Sequence, residues 1–354
     1  IGEGNLINDG LAEAAPLVLG AGGIVGSAWG GELTNANASI NVTWNSDSDA
    51  VTNASTNEPS AGGVIGRVFE TKLTNVHTSG NVNGIHHVGG VVGESFNEVS
   101  DECTLNKLTS AGEVSGIGAN IGGVAGELNS RACHLGSTGS VSGSYWVGGI
   151  AGRNTSEAHC SQCFSAATIG TIDGGFDESA GIGGLWGYSN GSGTLSESIF
   201  TGTVTGTGIK QFGGLVGVSV IEDESRFEVH TNLMMGSVQP ENGGLIIAAV
   251  LNLSDDASIE TAYYSDNLFV DLNEEREPSL AHGSTMEFPD LYWGEVRALD
   301  AIDDVDTYSE AFDFASTWTF ATTTDADSPL YASPHPVLTW QCEYDTSMIC
   351  DTLD

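Results

Sequence analysis

Cysteines and clustered acids are the residues of this chain best placed to do chemistry. The cysteines are Cys103, Cys133, Cys160, Cys163, Cys342 and Cys350, an even set of 6. In an oxidising compartment such a set reads as disulfides. Zinc is the metal alternative. "CH" at 133–134 and "HCSQC" at 159–163 supply sulfur and imidazole, the ligands zinc takes. Oxidation removes the thiolates zinc needs, and disulfides are the preferred reading. Calcium takes carboxylate oxygens. "NSDSD" at 45–49, "DDVD" at 303–306 and "DAD" at 325–327 make Asp47, Asp49, Asp303, Asp304, Asp306, Asp325 and Asp327 calcium candidates. None of these runs matches an EF-hand or RTX pattern, and solvated acidic loops are the simpler reading. No other cofactor is called for.

Catalytic patterns are sparse. Glycoside hydrolysis needs two carboxylates about 5 to 9.5 Å apart. A chain with 47 Asp and Glu will hold such a pair by chance, yet no acid recurs at repeated strand positions. There is no HExxH zinc motif. "TGTVTG" at 201–206 offers the threonine spacing of an ice-binding face, but the equivalent positions are Asn81, Glu113 and Ser140. The expectation is a protein that is not an enzyme. A carbohydrate-active β-helix enzyme acting on polysaccharide is the alternative.

The elements that would position these residues come from a repeat. "AGGIVG" at Ala21, "AGGVIG" at Ala61, "VGGVVG" at Val88, "IGGVAG" at Ile121, "VGGIAG" at Val147, "IGGLWG" at Ile182 and "FGGLVG" at Phe212 are near-copies. "NGGLII" at Asn242 is a degraded one. The first glycines recur at intervals of 40, 27, 33, 26, 35, 30 and 30 residues. A period in this range marks a solenoid or propeller. Between phrases lies a polar stretch of variable length, then a G-x-V-x-G unit, as in "SGNVNG" at 79–84 and "TGSVSG" at 138–143. Helical periodicity is absent, and short β-rich runs alternate with turn residues. Propeller blades need about 40–45 residues. The shorter, uneven repeats point to an all-β β-solenoid (β-helix) of about eight coils with N-terminal and C-terminal capping segments. Strands stacked at about 4.8 Å would make a rod about 38 Å long. Its bounds are a cap or strand at 1–20, repeats at 21–270, and a C-terminal cap or small subdomain at 271–354.

The repeat also orders the cysteines. Cys103 and Cys133 hold similar places in neighbouring repeats, and Cys160 and Cys163 share the next one. Cys103–Cys133 with Cys160–Cys163 is the first pairing, and Cys133–Cys160 competes with it. Cys342 and Cys350 lie beyond the repeats and are expected to bridge each other.

The phrase followed by a polar stretch and G-x-V-x-G resembles the GLUG repeat over roughly residues 20 to 270. That repeat occurs in bacterial surface proteins, including adhesins and the non-catalytic regions of surface proteases. Arrays of this kind often close with F-x-F-x-x-x-W and P-x-L-x-W, which "FDFASTW" at 312–318 and "HPVLTWQ" at 335–341 resemble. The resemblance implies an extracellular β-solenoid without a catalytic site.

Composition narrows the partners. Nine Lys and Arg stand against 47 Asp and Glu, a formal net charge of −38. Such a surface repels nucleic acid and anionic membranes. No apolar run reaches the roughly 18 residues of a membrane span. A chain starting at Ile1 without a leader reads as a secreted or cell-surface protein after signal removal. The fifth letters of the phrases are Val25, Ile65, Val92, Ala125, Ala151, Trp186, Val216 and Ile246. Strand neighbours point to opposite faces. A core at the fourth letter therefore leaves this stripe outward, for the chain's own ends or a partner to cover, unless a corner turns both letters inward. The expected function is a rigid acidic scaffold for adhesion or structure, presenting loops and faces. Its partners are copies of itself, packed head to tail or along the stripe into a filament, or an extracellular glycan or protein.

Overall fold

The computed structural model describes residues 3–9, 20–45, 59–97, 102–155, 158–172, 180–190, 193–206, 211–221, 227–239, 247–252, 262–265, 268–270, 295–297, 312–323, 335–344 and 348–350. These residues form β-strands throughout, with one 3-10 turn at Thr339–Glu343 and no α-helix. The repeat that starts at Ser60 sets the pattern: Ser60–Gly62, Ile65–Phe69, Lys72–Thr78 and Val82–Gly84. Each strand lies parallel to its equivalent one repeat later. Val82 pairs with Val114, Val114 with Val141, Val141 with Ile169, Ile169 with Val204 and Val204 with Val238. These are the central residues of the G-x-V-x-G units, and all are buried. Their file is one stack of the core, each member worth about 1.5–3 kcal/mol of burial. The strands that follow the glycine phrases form an eight-stranded parallel sheet from Val25–Trp29 to Ile247–Asn252.

The glycine phrases stack in the same register. Gly22 pairs with Gly62, Gly62 with Gly89, Gly89 with Gly122, Gly122 with Gly148, and Gly148 with Gly183. Each phrase is a corner between two strands. At the corner two successive N–H groups donate to one carbonyl of the next repeat. Val64 and Ile65 both reach Val91 O at 3.0 Å, and Ile150 and Ala151 both reach Leu185 O at 2.9 and 3.0 Å. The corner breaks strand alternation and turns the fourth and fifth letters inward together. The stripe is therefore core, not surface. Ile65, Val92, Ala125, Ala151, Trp186 and Val216 are all buried, and Val25 is partly buried. Ile246 lies outside the described residues.

The corner also explains the glycines. A Cβ on the first glycine would collide with the carbonyl of the fifth letter, as Gly122 would with Ala125 O. A Cβ on the second would collide with the next repeat's backbone, as Gly123 would with Gly149 O. The space beside the second glycine takes an inward hydroxyl instead. Ser137 Oγ donates to Gly149 O at 2.6 Å and stands 3.1 Å from Ser165 Oγ.

At the N-terminal end Glu3–Asp9 pairs in parallel with Ser39–Asn45. That strand covers one edge of the first repeat. Among the described residues nothing pairs beneath Val25–Trp29, where Ile24 is 48% and Trp29 70% exposed.

Gly123→Ala is expected to cost about 3 kcal/mol, because backbone rather than a flexible side chain must yield. A Cβ on Gly170 would meet only Thr205 Oγ1, at 3.2 Å, so Gly170→Ala should change stability little. Urea unfolding of both variants measures this, and equal losses would contradict the account of the corner.

Candidate functional site

The residue after the third glycine is polar or charged in six repeats: Ser27, Arg67, Glu94, Glu127, Arg153 and Tyr188. Strand register stacks them in that order. Seven positions earlier stand Ser60, His87, Asn120 and Trp146, whose side chains meet the first file. Arg67 binds Glu94 through Nε and Nη2. Ser60 Oγ donates to Glu94 Oε2 at 2.8 Å and accepts from Arg67 Nε at 3.0 Å. One repeat on, Asn120 Nδ2 donates to Glu127 Oε2 at 2.9 Å, and His87 Nδ1 lies 3.2 Å from the same oxygen. Arg153 Nη1 is 3.6 Å from it. Arg153 closes the ladder, 5.5 Å from the Trp146 ring and 5.9 Å from the Tyr188 ring. Arg67, Glu94, Glu127 and His87 are 5%, 3%, 5% and 7% exposed, so the ladder is interior.

The donor atoms of His87, Glu94 and Glu127 lie within 4.8 Å of one another, the spacing of a metal site. The charges argue against a cation. Two guanidiniums already balance the two carboxylates, and a dication would leave uncompensated positive charge in a buried space. Burial pushes the Glu127 carboxyl up, but the hydrogen bond and charge of His87 and the charges of Arg153 and Arg67 outweigh it. They hold the group below the usual carboxylate range. The cluster is a closed electrostatic clamp across four repeats. Its signal in the sequence is a charged residue directly after each of four apolar phrases: "GGVIGR", "GGVVGE", "GGVAGE" and "GGIAGR".

A second constellation lies on the outside. Register places Asn37, His77, Thr109, Gly136, Phe164, Ile199 and Leu233 in one file. Its first half is polar or small, and its second half is apolar. The C-terminal strands Trp318–Thr323, His335–Leu338 and Met348–Cys350 form an antiparallel sheet beside it. Phe312, Trp318, Leu338 and Trp340 bury themselves with Phe164, Ile199, Leu233 and Met235. Those C-terminal residues are the aromatic and aliphatic positions of the two closing motifs. Trp340 Nε1 donates to Gln162 O at 2.8 Å. Farther down, Lys107 Nζ meets Glu343 at 3.2 Å, and the Tyr344 ring lies 4.6 Å from the His77 ring. The described parts of the C-terminal region thus run along the side of the stack as a clasp. Cover by the chain's own ends was one expectation for the fifth-letter stripe, but that stripe is core and the C-terminal residues lie over other positions. The stripe they cover is Phe164, Ile199 and Leu233, signalled by paired apolar residues in "SIFTGT" and "NLMMGS".

The cysteines pair as Cys103–Cys133, Cys160–Cys163 and Cys342–Cys350, with Cα separations of 5.7, 6.4 and 6.0 Å. The first staples neighbouring repeats, the second closes a turn within one, and the third pins the clasp. No cysteine is free, so the sulfur ligands of the zinc alternative are oxidised. The calcium candidates Asp47, Asp49, Asp303, Asp304, Asp306, Asp325 and Asp327 all lie outside the described residues. "GYSNG" at 187–191 spells the G-x-S-x-G of a nucleophile elbow. Ser189 is instead fully buried in the strand Trp186–Asn190, with Asn154 Nδ2 donating to its Oγ at 3.4 Å. Among the described residues no helix is long and apolar enough to cross a membrane. No protein-family model, no curated protein and no solved structure matches the chain.

Two outcomes follow from these contacts. Glu127→Gln should cost about 3–5 kcal/mol by leaving buried positive charge unanswered. Because the folded pKa of Glu127 is depressed, its contribution is full above about 4.5 and is lost as pH falls through the lower folded value. The variant should therefore lose stability mainly at neutral pH, as read from urea unfolding at pH 7 and pH 3. Beneath the clasp, where His77 meets Tyr344 and His134 meets Trp340, burial holds both imidazoles below their ordinary value, and Lys107 adds to the effect. Their neutral forms support the folded state fully above about 6.5, and that support fades as pH falls below it. Trp340→Ala, with about 3–5 kcal/mol of packing removed, and acidification to pH 5 should both speed proteolysis at the C-terminal region while the repeats persist. Equal cleavage throughout would contradict a separate clasp.

Proposed function

We propose that this chain is a non-enzymatic extracellular scaffold, a β-solenoid of about eight coils used for adhesion or structure. The carrying observation is the unbroken register of equivalent strands, from Val82 through Val114, Val141, Ile169 and Val204 to Val238. Length variation between repeats falls outside those strands. The scaffold stays stiff while its loops differ, which suits display rather than turnover. Three disulfides and a net charge of −38 favour a secreted or cell-surface setting. The similarity of phrase and G-x-V-x-G unit to GLUG repeats supports the same reading. Acids do recur at one strand position, Glu94 and Glu127, but against the carbohydrate-active alternative both are buried and engaged by Arg67 and Arg153 rather than facing a cleft.

Self-assembly head to tail is the second reading, favoured by the Val25–Trp29 edge, unpaired among the described residues, with its exposed Ile24 and Trp29. Unpaired strand edges template further pairing. Negative-stain microscopy beside light scattering over a concentration series tests both readings. Single short rods at every concentration support the scaffold acting alone, and filaments support assembly through the ends. A compact globule without an elongated axis would contradict both.

A further inference from the structure

Past Tyr344, no described residue of the clasp lines the outward face of the first repeats at Asn41–Thr43. Asn41 and Thr43 there stack under Asn81 and Asn83, and these under Glu113 and Ser115. They line a groove of about 390 Å³. On the preceding strands of the same repeats, Asn37, His77 and Thr109, with Tyr344, line a second groove of about 300 Å³. In the first repeat both are lined by the strand Glu32–Asn45, the one by Asn37–Ser39 and the other by Asn41–Thr43, and the two together are called the track.

Hydrogen bonds hold the track in place. Asn41 Oδ1 accepts from Asn81 N at 2.8 Å, and Asn81 Oδ1 accepts from Glu113 N at 3.0 Å. Asn83 Nδ2 donates to Ser115 Oγ at 2.7 Å. His77 Nδ1 lies 2.7 Å from Thr109 Oγ1, and Tyr344 OH donates to Asn75 Oδ1 at 3.1 Å. Groups fixed in this way lose little freedom when a ligand binds.

Charge is nearly absent. The chain holds 47 acids, yet the groove beside Tyr344 has none and the other has only Glu113. The lining offers amides and hydroxyls, which both donate and accept, with one phenol ring at the clasp end. The chain's net charge of −38 repels a polyanion.

We propose that this track binds a linear neutral polysaccharide, its hydroxyls meeting the amide and hydroxyl lattice and one sugar ring packing at Tyr344. The inference rests on the extracellular reading, since it supplies the ligand class for that scaffold. Titration calorimetry with cellohexaose, maltohexaose, laminarihexaose and mannohexaose, beside hexagalacturonate, tests it. The protein should come from a host that adds no N-glycans, because Asn37 and Asn41 each begin an N-x-S/T sequence. At least one neutral hexaose is expected to bind saturably. Tyr344→Ala should weaken it at least ten-fold. Ser79→Trp, at an exposed lining position, should abolish it by filling the groove, with an unchanged melting temperature. The inference is overturned if no neutral hexaose binds, if hexagalacturonate binds more tightly than all of them, or if both variants bind as the parent does. Loss of binding by protein that still forms rods in microscopy would remove this ligand and leave the scaffold reading intact.

Discussion

Everything in this molecule depends on how closely backbone approaches backbone at the glycine corners. Two N–H groups of each corner share one carbonyl of the next repeat, as Val91 and Val92 share Val124 O at 2.9 and 3.0 Å. That contact leaves no room for a Cβ on the glycines beside it. It fixes the register of every strand that follows. Once register is fixed, equivalent residues of successive repeats become neighbours, and each sequence position becomes a file running along the stack. The apolar files make the core, the charged file makes the ladder, and the outward polar file makes the track.

This logic explains why single residues far apart in sequence act together. Arg67, Glu94, Glu127 and Arg153 are separated by 26 to 33 positions, yet register sets them one repeat apart. Parallel stacking of like charges would repel, so the sequence places the two carboxylates between two guanidiniums. A buried charge network is weak evidence for stability in itself. Its geometry has a clearer consequence for specificity, because a slip of one repeat would set Arg67 against Glu127 and leave Glu94 unmatched. The Cys103–Cys133 bridge enforces the same alignment covalently.

Much of this was legible in the residues. The repeated phrase, its period and the valine of G-x-V-x-G pointed to stacked parallel strands, and cysteine positions relative to the first glycines pointed to the pairing found. The fifth-letter stripe was legible only as a choice between an outward face and an inward corner, because alternation along a strand is the default and only the corner's hydrogen bonds suspend it. Trp186 looked like a surface contact for that reason and is instead fully buried. The ladder was missed because its members are unlike in type and become one feature only when register stacks them. The clasp was half visible. "FDFASTW" and "HPVLTWQ" stood out, but nothing local said that they would lie along the side, over Phe164, Ile199 and Leu233.

The most direct measurement of the central claim is amide hydrogen exchange resolved along the chain. If the corners carry the register, the amides of Val64, Ile65, Val91, Val92, Val124 and Ala125 should be among the slowest to exchange and should open together with the strands they join. Exchange at these corners as fast as in the polar segments between repeats would mean that register is set elsewhere, and would contradict the account.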